Sequence, residues 1–129
     1  MSNFETKLNK LSEMVKTKNS IDKTIINYLD INFSNKSSSI IEVLDRGITK
    51  YIYKPSNRIL WTALGTEREY IIYPKLFCSC IDFYKEVVVK KSRSYCKHLI
   101  AYEISKSLNN YHTIELEDNE FTIRLEEMF

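Results

Sequence analysis

The sequence from Phe77 to Leu99 reads FCSCIDFYKEVVVKKSRSYCKHL. It contains all three cysteines of the chain, and a histidine follows the last of them after one residue, so the spacing is C-x-C-x15-C-x-H. Three thiols and one imidazole are the donor set of a tetrahedral structural zinc site, and zinc lowers the pKa of thiols enough to bind them as thiolates. The stretch therefore predicts one structural Zn²⁺ ion with four ligands, Cys78, Cys80, Cys96 and His98.

The pattern favours this structural metal site over other uses of the same residues. An odd number of cysteines without a secretory signal disfavours a disulfide framework. Free cysteines often lie in protein cores, yet here all three fall within nineteen residues and in a paired arrangement. A catalytic zinc keeps one position open for water, whereas four protein donors fill every position. The second histidine, His112, has no donor near it in the sequence and is expected to be exposed or partly buried.

Length and composition favour one domain without an active site. The chain has 129 residues, of which 43% are hydrophobic and 28% charged, so we expect a single domain over residues 1–129. No apolar run approaches the roughly 20 residues of a membrane span, and we expect no secretory signal in the polar N-terminus. Only Gly47 and Gly65 are glycines, which excludes Gly-rich phosphate-binding loops. We therefore expect no catalytic residues, and a protein that is not an enzyme.

A narrow apolar stripe opens the helical N-terminal part, which is expected over residues 1–46. Ser2 and Glu5 have the spacing of a capping box, and Met1 extends the stripe backwards. Such a stripe suits docking onto a partner protein, and it equally suits packing against the chain's own sheet. The candidate partner-binding residues of the stripe are Phe4, Leu8, Leu11 and Val15.

Two more helices and a sheet are expected next. The second helix should begin after Ser20, with Asn19 or Ser20 as its cap, and the third should follow Ser39 and end near Gly47. Alternating β-forming residues and turn residues then predict a three-stranded antiparallel meander over residues 48–54, 59–64 and 70–73.

The zinc finger, over residues 77–101, is expected to lead from this meander into a helix over 96–108, so that 47–110 form one unit. Residues 111–129 are expected to form an acidic C-terminal helix. Asp118 would cap it, with Phe121, Leu125 and Met128 facing inward. These elements predict the α+β class, with helices at both ends of the meander and the finger.

Charge is unevenly distributed along the chain. Residues 111–129 carry a net charge of −5, whereas residues 81–97 carry five basic against two acidic residues. This basic insert can face a phosphate backbone, or it can form an ordinary solvated loop. Tyr84 and Tyr95 flank it, and they can stack on bases or pack in a core. The candidate residues for binding single-stranded DNA are Lys90, Lys91 and Arg93.

The spacing of the four predicted ligands resembles that of the SWIM-type zinc-finger family. Ala101, three residues after His98, matches the small residue expected in the subgroup that serves homologous recombination. The resemblance extends over residues 36–110, from the run Val43-Leu44-Asp45-Arg46 through the strands to Cys-Lys-His-Leu and the following helix. This region is similar to the SWIM subunits of Shu complexes.

The resemblance implies a function in DNA repair in the nucleus. Such subunits are adaptors that pair with paralogues of the RecA-type recombinase in a hetero-oligomer, and they have no small-molecule substrate. The assembly helps the recombinase to form its filament on single-stranded DNA during homologous recombination. The alternative is a free-standing SWIM finger that binds single-stranded DNA directly through residues 85–97.

Overall fold

Helices and a mixed β-sheet make up the described part of the chain. The structure is a computed structural model that describes residues 3–34 and 36–128, with Met128 described by its backbone alone. The helices of this part are α1 (Asn3–Lys18), α2 (Lys23–Asn32), α3 (Ser37–Arg46), α4 (Ile81–Phe83), a π-helix (Tyr84–Val89) that continues α4, α5 (Lys97–Leu108), a 3-10 turn (Asp118–Glu120) and α6 (Phe121–Met128). The strands are β1 (Ile48–Lys54), β2 (Arg58–Leu64), β3 (Glu69–Tyr73), β4 (Phe77–Cys78) and β5 (His112–Glu117). This arrangement confirms the predicted α+β class.

The apolar stripe of α1 belongs to the core of this chain. Leu8, Leu11 and Val15 have no exposed surface, and Phe4 is only 9% exposed. The helix packs against α5 and α2, which cover the stripe. Phe4, Leu8, Leu11 and Val15 are therefore covered by this chain's own helices, and their binding to a partner stays a prediction that this burial does not favour. Met1 and Ser2, which were expected to extend and cap this helix, lie outside the described residues.

The helix boundaries follow side-chain caps that differ from the expected ones. Asn19 ends α1 in a left-handed conformation, with its N–H bonded to the carbonyl of Val15 at 2.7 Å, so it cannot also begin α2. Asp22 caps α2 instead, because its Oδ1 accepts the N–H of Ile25 at 3.0 Å. The third helix begins at Ser37, two residues before the expected cap, since the Ser37 N–H donates to Asp30 Oδ1 at 3.0 Å.

The sheet of the described residues has five strands in the order β4-β3-β2-β1-β5. Strands β1 to β4 pair antiparallel, as the meander predicted for its three members, and β5 pairs parallel to β1. The expected acidic helix over 111–129 is thus wrong in its first half, where β5 pairs Ile114 with Tyr51. Asp118 does not cap α6. Its carboxylate accepts the N–H and the hydroxyl of Ser56, at 3.0 and 2.6 Å.

The two faces of the sheet are covered by different helices. The face that carries Ile48, Ala63 and Ile72 packs in a core with α1, α2, α3 and α5. The opposite face carries Tyr51, Tyr53, Leu60 and Ile71, and α6 covers it through Phe121 and Leu125, two of the residues expected to face inward. No helix within the described ranges is both long enough and apolar enough to cross a membrane.

Candidate metal centre

The four predicted ligands converge where β4, α4 and α5 meet. Cys78 is the last residue of β4, and Cys80 is the N-cap of α4. Cys96 is the N-cap of α5, and His98 lies in the first turn of that helix. The donor atoms all lie within 4.8 Å of one another. All four side chains are buried, so the arrangement can hold a metal ion inside the fold.

The distances between donor atoms fit a tetrahedral zinc ion. Nδ1 of His98 lies 3.6 Å from Sγ of Cys78 and 3.8 Å from Sγ of Cys96. Bonds of about 2.3 Å to sulfur and about 2.05 Å to nitrogen, at tetrahedral angles, place such atoms about 3.6 Å apart. These two nitrogen–sulfur separations therefore lie within roughly 0.2 Å of the spacing that zinc requires.

The local backbone stabilises negative charge on the sulfurs. Sγ of Cys80 accepts a hydrogen bond from the N–H of Phe83 at 3.3 Å. Cys96 stands at the N-terminus of α5, a helix of twelve residues whose dipole presents partial positive charge to the site. Three thiolates around one Zn²⁺ carry a net charge of −1, so both features favour the metal-bound form.

The neighbouring thiols shift one another's pKa values. The hydrogen bond with Cys80 raises the pKa of the Cys78 thiol far above its usual range, and burial adds to this. The hydrogen bond from Cys78 lowers the pKa of Cys80 far below its usual range. The thiolate of Cys80 is thus stabilised while Cys78 stays protonated, because adjacent buried sulfurs repel one another when more than one is charged and no cation is present. A divalent ion allows all three to bind as thiolates.

Apolar side chains surround the centre. The ring of Tyr70 lies 5.0 Å from the ring of His98, and the ring of Phe83 lies 5.5 Å from that of Phe77. Ala101 is fully buried one turn after His98. These contacts exclude water, which strengthens the interaction between the thiolates and a cation.

Sequence comparison finds relatives in three organisms. A zinc finger SWIM domain-containing protein 7 homolog of Dictyostelium discoideum is 29% identical over 109 residues, which are 82% of this chain and 69% of the relative. Zinc finger SWIM domain-containing protein 7 of Mus musculus is 26% identical over 120 residues, 92% of this chain and 79% of the mouse protein.

The resemblance to SWIM zinc-finger proteins is confirmed.

The human zinc finger SWIM domain-containing protein 7 is also similar, with 26% identity over 92 residues, 70% of this chain and 66% of that protein. No family model matches the chain, and no solved structure matches it. The SWIM finger holds a single structural zinc ion, because the donor set, the spacing and the burial all fit one. Held by its four ligands, the ion joins β4, α4 and α5.

The basic insert of the SWIM finger is folded onto its own acidic residues. Arg93 donates two hydrogen bonds to the carboxylate of Asp82, at 2.8 and 2.9 Å, and its side chain is only 16% exposed. Lys90 forms an ion pair with Glu86 at 3.3 Å. Of the three predicted DNA-binding residues, Lys91 alone makes no ion pair within the described ranges. The charge pattern of the sequence did not show the pairing of Arg93 with Asp82, because these residues lie eleven positions apart, whereas Lys90 and Glu86 have the i,i+4 spacing of a local ion pair.

The two tyrosines that flank the insert differ. Tyr95 is buried between Phe4, whose ring stacks on it at 5.1 Å, and Phe33, whose ring meets it edge-on at 5.3 Å. Its side chain is part of the core and does not stack on bases. Tyr84 is 57% exposed. His112 is exposed and lies outside the donor cluster, as the sequence predicts.

Proposed function

We propose that this SWIM zinc-finger protein is a non-enzymatic adaptor subunit of a Shu-type complex in the nucleus. It binds paralogues of the RecA-type recombinase and promotes assembly of the recombinase filament in homologous recombination repair. The observation that carries the proposal is the buried Cys₃His centre, which joins the sheet to α5. The similarity to zinc finger SWIM domain-containing protein 7 of other organisms supports it.

The geometry of the centre supports a structural function over a catalytic one. Catalytic zinc needs an open coordination position for water or substrate. Here four protein donors surround the same point, and every one of them is buried. An ion in this position stabilises the fold and has no contact with a substrate.

The charges of the insert support access to single-stranded DNA through the complex. Arg93 and Lys90 are occupied by Asp82 and Glu86, which reduces the number of phosphates that the insert can neutralise. Affinity for DNA backbone rises with each phosphate neutralised. Of the five basic residues in 81–97, Lys85, Lys91 and Lys97 make no ion pair within the described ranges, and this reduced charge favours DNA binding by the partners.

The test is co-expression of the chain with RecA-type recombinase paralogues of the same organism. We expect a stable hetero-oligomer by size exclusion, and faster filament formation on single-stranded DNA when it is added to the recombinase. His98→Ala should lose zinc and the complex. His112→Ala, which changes the exposed histidine, should keep both.

Two results would contradict the proposal. One is a zinc-loaded chain that binds none of the paralogues. The other is a chain that binds single-stranded DNA tightly by itself, with affinity that falls steeply with salt and is lost in a variant with Lys90, Lys91 and Arg93 all changed to Ala.

A further inference from the structure

An apolar groove of about 530 Å³ lies beside the metal centre, between β4 and the helical segment over residues 81–89, here called the insert helix. Aromatic rings line its inner part, where Phe77 and Phe83 pack against each other. The cysteine ligands Cys78 and Cys80 form part of the same wall. The groove thus lies directly against the metal centre.

The outer wall of the groove is apolar and faces solvent. Ile81, Tyr84 and Val88 are 67%, 57% and 50% exposed, and all three line the groove. Contiguous exposed apolar residues on a soluble protein mark interaction surfaces. Ile81 and Val88 are aliphatic, and the inner rings of Phe77 and Phe83 pack against each other, which favours a protein segment over a nucleic acid that would need stacking platforms along a charged path.

The insert helix presents these side chains in a fixed orientation. Cys80 caps its start, and the Arg93–Asp82 pair fastens the segment that follows it. Its second part is a π-helix, a rare conformation that is often found at functional sites. A surface held in this way loses little conformational entropy when it binds.

The charges at the groove select an acidic occupant. Arg68 lines the groove, is exposed, and makes no ion pair within the described ranges. Lys85, four residues after Ile81 on the insert helix, is likewise exposed and without an ion pair there. The acidic residues of the insert helix, Asp82 and Glu86, are occupied by the basic residues that follow them. Arg68 is thus the one charged side chain among the described residues that line the groove, and it is positive.

We propose that this groove binds an amphipathic segment of a partner protein, which inserts apolar side chains against Tyr84 and Val88 and pairs a carboxylate with Arg68. The proposal rests on the adaptor function above and names the surface and the partner chemistry. Apolar anchors in a preformed pocket supply most of the affinity at such interfaces, and the ion pair sets specificity.

The test is selection from a phage-displayed library of random peptides on the zinc-loaded chain. We expect selected peptides to combine large apolar residues with Asp or Glu. Val88→Lys should weaken them by at least about tenfold. The control Ile31→Lys changes an 81% exposed isoleucine on α2, outside the groove, and should leave affinity unchanged. Arg68→Glu should shift selection towards Lys and Arg.

Zinc content and circular dichroism show whether Val88→Lys is folded, and Tyr84→Lys replaces it if it is not. The proposal is overturned if no selected peptide depends on the groove, or if selected peptides lack acidic residues. It is also overturned if the wild-type chain self-associates, or binds an oligothymidine, and Val88→Lys loses that binding. The selection uses the chain alone, so its result is independent of whether a recombinase paralogue co-purifies.

Discussion

Replacement of Arg93 by Ala separates a structural role of the basic insert from a role in DNA binding. The guanidinium makes two hydrogen bonds to Asp82, at 2.8 and 2.9 Å, and the two side chains are 16% and 41% exposed. Hydrogen bonds to charged groups contribute about 1.5–3 kcal/mol when buried, whereas exposed ion pairs contribute about 0.2–1 kcal/mol. For this half-buried pair we expect Arg93→Ala to lower the free energy of unfolding by about 1–2 kcal/mol.

The assay is urea unfolding at a fixed free zinc concentration, because bound metal adds to the apparent stability. Lys91→Ala is the matched control. It removes a basic residue two positions away that is exposed and makes no ion pair within the described ranges, and it should change stability by less than about 0.5 kcal/mol. A double-mutant cycle with Asp82→Ala isolates the coupling between the two side chains. Equal losses for Arg93→Ala and Lys91→Ala, or no coupling in the cycle, would contradict a structural role of the Arg93–Asp82 pair.

Three further changes test the packing and the buried carboxyl group. Leu8→Ala should lower the free energy of unfolding by about 2–5 kcal/mol, whereas Leu76→Ala, at a position that is 79% exposed, should leave it nearly unchanged. Equal effects of the two changes would contradict the burial of the α1 stripe. Tyr95→Ala should lower the free energy of unfolding by about 3–5 kcal/mol, and Tyr84→Ala should lower it much less. If thermal unfolding showed the reverse order, the assignment of Tyr95 to the core would be contradicted. Burial raises the pKa of Glu103, so the buried carboxylate costs stability above the ordinary glutamate pKa and not below it. Glu103→Gln should therefore raise the melting temperature at pH 7 by more than at pH 5. The same difference between variant and wild type at both pH values would contradict this.

The metal ligands were predictable because metal spacing is a local property. Two short pairs, each within three residues, need only a turn and a helix start to present their donors, and the structure places Cys80 and Cys96 at two helix N-caps. The helix over 96–108 was predictable for a similar reason, since its apolar period and the left-handed Asn109 at its end are both local signals. The structure confirms both.

Strand β5 was not predictable, because it exists through a partner that is distant in sequence. Its residues pair with β1, more than sixty positions earlier, and most of its side chains are exposed on both faces. Because neither face of β5 is fully buried, the alternation of Ile114, Glu115 and Leu116 does not separate an apolar buried face from a polar exposed one. The charge of residues 111–129 indicated a solvated segment but not whether it would be a helix or a strand.

The function of an apolar stripe is likewise not contained in its spacing. Phe4 and Leu8 lie on one face of a helix whether that face meets the chain's own core or another protein. Here α5 occupies the place that a partner would take. A cluster of exposed apolar side chains lies instead on the insert helix, where the run Val87-Val88-Val89 gave no amphipathic pattern.

The measurement that tests the central claim most directly is X-ray absorption at the zinc edge, together with elemental analysis of the purified chain. The account predicts one zinc per chain, bound by three sulfurs at about 2.3 Å and one nitrogen at about 2.0–2.1 Å. His98→Ala should remove the nitrogen contribution, and His112→Ala should leave the spectrum unchanged. A chain purified without zinc from zinc-containing medium, or a spectrum of oxygen and nitrogen ligands only, would contradict it.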